Sequence, residues 1–182
     1  MTTQQDNDLI NRLLSLGVRD FDLNILEEIP ISKLLVFSSS ASDPKVSFRA
    51  SWALEHILLK NPVYLKPVLA QLISNYQKLQ NWSSLRSYTK IMMIILSPKS
   101  KSLQIDSQQF EIIMEKTFQV VEDKDCPVAV KVNCFDILYY LTKKYQWIEK
   151  ELSLLIQFNL EKQNSPAINS RGKILLKRIL NT

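Results

Sequence analysis

A chain of 182 residues with 46% apolar and 23% charged side chains has the make-up of a folded domain, which excludes a disordered segment. Only two glycines occur, Gly17 and Gly172, and no Asn-Gly or Asp-Gly pair, which excludes a sheet protein built on tight hairpin turns. The net charge of +5 is localised: residues 1–142 balance fifteen basic against fifteen acidic side chains, whereas 143–182 hold eight against three.

In chain order, residues 6–17 and 22–41 are expected to supply two or three short helices, broken at Pro30 and at Ser38-Ser39-Ser40. Asp43 then reads as an N-cap, its carboxylate accepting the first orphan amides, with Pro44 at the first helical position. Ala50, Ala53, Leu54, Ile57 and Leu58 follow as one apolar stripe at helical spacing. Leu65, Val68, Leu69, Leu72, Ile73 and Tyr76 form the next stripe, and Asn81 caps the helix running to Leu96. Ser97-Pro98-Lys99-Ser100-Lys101-Ser102 reads as a surface loop. Beyond it, Phe110, Ile113, Met114, Thr117, Phe118 and Val121 predict a helix, and Asp125 is expected to cap another that reaches Leu141. Ile148, Leu152, Leu155, Ile156 and Leu160 predict one more, and Ser165-Pro166 opens the last.

Chemistry-bearing motifs are few. Cys126 and Cys134 stand eight apart without a Cys-x-x-Cys partner, so neither a metal nor any other cofactor is expected. His56, the only histidine, follows Glu55, but neighbours on a helix point about 100° apart and make no dyad. No catalytic motif emerges. The polar opening from Met1 to Asp8 leads us to expect no signal peptide, and the longest apolar run, Ile91–Leu96, is too short to span a bilayer. A cytoplasmic monomer with reduced thiols is the expectation.

Four segments repeat the same order of features. Each opens with Asp or Asn (Asp43, Asn81, Asp125, Asn164), continues to a basic residue (Arg49, Arg86, Lys131, Arg171), and runs on to a leucine (Leu58, Leu96, Leu141, Leu180). The basic positions are 37, 45 and 40 residues apart, a period that belongs to helical-hairpin repeats. Asp43, Pro44, Val46, Arg49, Ala50 and Leu54 resemble the inner helix of the HEAT repeat family, and the resemblance covers residues 30–180. It implies an all-α superhelix, or solenoid, of four to five hairpins in a single domain over 1–182, with 1–42 as N-terminal cap helices and 43–182 as the repeats. It also implies a structural ladder in which Asp43, Asn81, Asp125 and Asn164 face Arg49, Arg86, Lys131 and Arg171.

Stacked hairpins create a concave face lined by inner helices. Polar residues in helices otherwise committed to a core mark it, so Glu55, Lys90, Asp136, Tyr140, Lys173 and Lys177 are the expected binding residues for a protein or peptide partner. The alternative is nucleic-acid binding through a basic patch of Lys143, Lys144, Arg171, Lys173, Lys177 and Arg178. A family of alkylpurine DNA glycosylases is also built from HEAT-like repeats, and this chain resembles it in architecture and in its basic end. Under that resemblance Asp136 is the one inner-helix aspartate to consider.

Overall fold

The computed structural model describes residues 4–40, 43–100, 102–162 and 165–181, apart from the Val18 side chain. The described residues form ten α-helices and three single-turn 3-10 segments (Val18–Asp20, Pro62–Tyr64 and Pro98–Ser100), with no strand among them. The all-α class read from the helical periodicity is therefore what the chain adopts. The chain divides into two compact units, Met1–Ile91 and Met92–Thr182. The first holds α1 (Gln4–Ser15), α2 (Ile25–Glu28), α3 (Ile31–Ser38), α4 (Pro44–Lys60) and α5 (Leu65–Lys78). The division falls inside α6 (Trp82–Leu96), and α7 (Ser107–Glu122), α8 (Val128–Leu141), α9 (Ile148–Lys162) and α10 (Pro166–Leu180) follow. Four consecutive hairpins result: α3–α4, α5–α6, α7–α8 and α9–α10.

In the first unit, local chemistry sets the helix ends. The Asp43 carboxylate accepts the amides of Lys45 and Val46 at 2.9 and 3.0 Å, and Pro44 occupies the first turn, where its missing N–H costs nothing. At the other end of α4 the Asn61 side chain donates to the Ile57 carbonyl, and Pro62 prevents the helix from continuing. Leu54, Ile57 and Leu58 of α4 and Leu72, Ile73 and Tyr76 of α5 are buried, as their stripes predict. Burying each such side chain stabilises by roughly 1.5–3 kcal/mol.

This core also contains a polar network that apolar periodicity does not reveal. The Ser38 and Tyr88 hydroxyls share a hydrogen bond of 2.6 Å, and the Asn75 amide donates to the Leu35 carbonyl and to Tyr88 Oη at 2.8 and 3.1 Å. The Ser47 hydroxyl donates to the Ser38 carbonyl and meets Ser84 at 2.9 Å. Four helices, α3 to α6, are thereby fixed by groups that satisfy one another away from water, so their burial carries no unpaired-donor penalty. Burial pushes the Tyr88 phenol above its ordinary range.

In the second unit Asp106 and Gln109 form a reciprocal capping box at the start of α7. The start of α8 corrects an expectation. Its N-cap is Pro127, in extended backbone and without a side-chain cap bond, while Asp125 lies exposed in the preceding turn. The Asp125 amide is already engaged there by the Asp123 carboxylate at 2.8 Å, and the bend this creates delays the helix to Val128. Ser165 sits at the N-cap of α10 ahead of Pro166, but its hydroxyl makes no cap bond. Gly172 lets α10 approach α9: a Cβ there would stand 2.8 Å from the Ile156 Cγ2. A β-branched side chain yields little, so the glycine is required by packing.

Candidate functional site

The second helix of each hairpin carries the polar residues in question. In the first unit, Glu55 of α4 is buried, and Lys90 of α6 reaches it with Nζ 2.5 Å from Oε1. In the second unit, the Asp136 side chain of α8 is only 4% exposed because Arg171 of α10 lies across it. Arg171 Nε donates to both carboxylate oxygens, at 2.8 and 2.9 Å, and its Nη2 also donates to Oδ1. This bidentate pairing raises the Arg171 guanidinium further above its ordinary value. Both bridges join residues 35 apart in sequence and couple one hairpin to the next.

These two bridges replace the ladder expected from the turn positions. The Asp43 carboxylate is occupied by the amides of its own helix. Arg49 turns elsewhere: its guanidinium lies 5.2 Å from the Phe21 ring centroid and 5.6 Å from that of Trp52, and its Nε is buried without a hydrogen-bond partner. Asn81 does join two hairpins, but through an amide that donates to the Pro44 carbonyl at 3.1 Å, while its oxygen accepts the Ser83 amide. Arg86 and Asp125 are exposed, Lys131 is buried, and Asn164 lies outside the described residues. Both amides held by Asp43 fall on Oδ1, so it is the packing of Arg49 against Phe21 and Trp52, and not a saturated carboxylate, that leaves this rung unformed.

Of the six residues expected to line a binding face, four are thus accounted for by position. Glu55 and Lys90 are bridged, Asp136 is bridged to Arg171, and half-buried Tyr140 stands close enough to raise the Arg171 guanidinium. Lys173 and Lys177 are exposed but point away, being two and six residues beyond Arg171 and hence about 200° and 240° around α10. The six residues of the basic patch do not share one face either. Lys144 turns onto the Phe110 ring at 4.2 Å and donates to the Ser107 hydroxyl, Arg178 leans toward Tyr139, and Arg171 is spent on Asp136. Tyr140, Lys143 and Lys144 do meet, around an open cleft of about 250 Å³ floored by Leu103, Ile105 and Phe110.

An aromatic stripe on α4 escaped the sequence reading. Phe48, Trp52 and His56 recur every four residues and are half-buried, with Leu59 exposed beyond them. Phe48 stacks on Trp52 at 5.6 Å, Trp52 meets Phe21 edge-on at 5.3 Å, and His56 packs against both Trp52 and Phe21. The signal was present in the i, i+4, i+8 spacing, offset from the Ala50, Leu54 and Leu58 stripe.

Glu55 is paired with Lys90, His56 packs against Trp52 and Phe21, and both Asp136 oxygens accept from the Arg171 guanidinium. Among the described residues no three His, Cys, Asp or Glu side chains are grouped to hold a metal ion, and no helix is long and apolar enough to cross a membrane. Burial pushes the Cys126 thiol up to about 11 and the Cys134 thiol well above its ordinary value, which suits structural cysteines and not nucleophiles.

A family model described as the HEAT repeat domain matches residues 32–179. No curated protein and no solved structure matches the chain. HEAT repeats generally build scaffolds for protein–protein interaction.

Proposed function

We propose, from the premise that this chain belongs to the HEAT repeat domain family, that it is a non-enzymatic interaction scaffold whose second-helix faces hold a protein or peptide partner. One observation carries the reading. In each unit a carboxylate of one second helix is bridged to a cation of the next, and the helix that carries the carboxylate leaves aromatic side chains partly open: Phe48 and Trp52 on α4 with Glu55, and Tyr139 and Tyr140 on α8 with Asp136. Internally paired charges hold the surface in one geometry before a partner arrives, and preorganised aromatic area is what binding hot spots are made of. Glu55, Lys90, Asp136 and Tyr140 support that surface. Lys173 and Lys177, on the other side of α10, lie outside it.

The reading is tested against nucleic-acid binding by titrating the full chain with labelled single-stranded and duplex oligonucleotides at about 50 and 200 mM salt. The scaffold reading expects no saturable binding at either salt, and expects proteins co-purified with the wild-type chain to be lost from Trp52→Ala and Tyr140→Ala. Tight oligonucleotide binding that falls steeply with salt, and is lost in Lys143→Glu or Lys173→Glu, would overturn it.

A further inference from the structure

The hairpin α9–α10 buries one face of α9 through Ile148, Leu152 and Ile156. A second apolar strip on the same helix faces outward. Leu154 and Phe158 are 52% and 51% exposed, and with Glu151 and Glu161 they follow an i, i+3, i+7, i+10 spacing that places all four on one side of the helix. Trp147, in the turn before α9, is 53% exposed and stacks on Phe118 of α7 at 5.8 Å with the ring planes 14° apart. Between α7 and α9 these side chains bound an open groove of about 420 Å³, lined by Phe118, Leu154, Leu155 and Phe158 and rimmed by Glu122, Glu151 and Glu161. Lysine and arginine are absent from its lining, and Lys162 lies against the Phe158 ring at 4.2 Å.

A cluster of large side chains held half in water is unfavourable unless something covers it, since apolar area gains about 25 cal/mol per Å² on leaving water. The shape and charge of the groove define what that is. A trough between two helices fits a third helix laid into it, read as apolar anchors one and two turns apart. A three-glutamate rim attracts cations and repels acidic segments. We propose that this groove docks an amphipathic helix of a partner protein, with Leu- or Phe-like side chains entering between Phe118 and Phe158, and Lys or Arg side chains pairing with Glu122, Glu151 and Glu161. The surface is separate from the second-helix faces, so the two proposals stand or fall independently.

The test uses the full chain and a pair of synthetic helical peptides of about sixteen residues, one of leucine and lysine in amphipathic order and its twin with glutamate for every lysine. Fluorescence anisotropy is expected to show saturable binding of the lysine peptide and binding at least about tenfold weaker for its twin. Leu154→Asp with Phe158→Asp is expected to weaken the lysine peptide about tenfold or more, as is Glu151→Lys with Glu161→Lys. Val63→Ser, at an exposed position of the other unit, leaves it unchanged. The second pair of substitutions lies on exposed charges and keeps the test valid should the first disturb folding, which thermal melts would reveal. Equal affinity for both peptides, or affinity indifferent to the charge reversal, overturns the proposal. Concentration-dependent self-association of the chain that Phe158→Asp abolishes also overturns it, because the occupant would then be a second copy.

Discussion

Tyr88 illustrates how much a single side chain holds together. Its hydroxyl completes the hydrogen bonding of Ser38 and Asn75, residues that approach it from two other helices. Tyr88→Phe keeps the ring and removes only that oxygen, leaving the buried Asn75 amide short of a partner. The expected loss is about 1–3 kcal/mol in urea unfolding, whereas Tyr139→Phe, half-buried at the surface, is expected to change stability by less than about 0.5 kcal/mol.

Cys126 makes a pH-dependent prediction at the same scale. Burial raises its folded-state pKa from 9.0 to about 11, so above pH 9 the unfolded chain loses a proton that the folded chain keeps. The corresponding stability is fully present below pH 9.0 and is lost as pH rises through about 11. Chemical denaturation between those limits is expected to show a downward slope that Cys126→Ala reduces. Alkylation of native protein by iodoacetamide at pH 8.5 is expected to be slow until denaturant is added.

At the scale of elements, the two 35-residue bridges are the ion pairs that couple one hairpin to the next in each unit. Asp136–Arg171 is the stronger by geometry, being bidentate, and removing Arg171 strands the carboxylate of Asp136 in a nearly buried position. Asp136→Asn and Arg171→Met are each expected to cost about 2 kcal/mol. The double substitution is expected to cost clearly less than their sum, giving a coupling energy of at least about 1 kcal/mol in a double-mutant cycle. Additive effects would mean that the guanidinium and the carboxylate do not meet in solution.

The elements also show what could be read in advance. The stripes Leu65–Tyr76, Phe110–Val121 and Ile148–Leu160 predicted α5, α7 and α9, because a 3.6-residue period of apolar side chains has few other meanings. The cap at Asp43 was legible for the same kind of reason, since Asp followed by Pro specifies a helix start locally. Pairings between helices were not legible. Aligning the chain on Arg49, Arg86, Lys131 and Arg171 assumed that equivalent repeat positions do equivalent work. The structure gives Arg49 to Phe21 and Trp52 and Arg171 to Asp136. Each choice depends on which side chains pack beside the cation, a three-dimensional fact. The recurrence of an acid–base spacing of 35 at Glu55–Lys90 and Asp136–Arg171 was the one available signal.

For the molecule as a whole, membership of the HEAT repeat domain family and the hairpin order α3–α4, α5–α6, α7–α8, α9–α10 agree with the all-α helical repeat read from the sequence. The candidate surface was only half visible from sequence. Glu55, Lys90, Asp136 and Tyr140 were picked out because polar residues inside apolar helices need a reason, but for three of them the reason includes an ion pair, Glu55 with Lys90 and Asp136 with Arg171. The α4 aromatic stripe and the outward strip on α9 were hidden because large apolar residues at helical spacing read as core until burial is known.

The central claim, that the chain works by holding another protein on its second-helix faces, is tested most directly by site-specific photo-crosslinking in cells. A photoreactive phenylalanine would be placed at Trp52, at Tyr140 and, as a control, at exposed Val63. The account predicts discrete protein adducts from positions 52 and 140 and none shared with position 63. Adducts that consist of nucleic acid, or that form equally from all three positions, would contradict it.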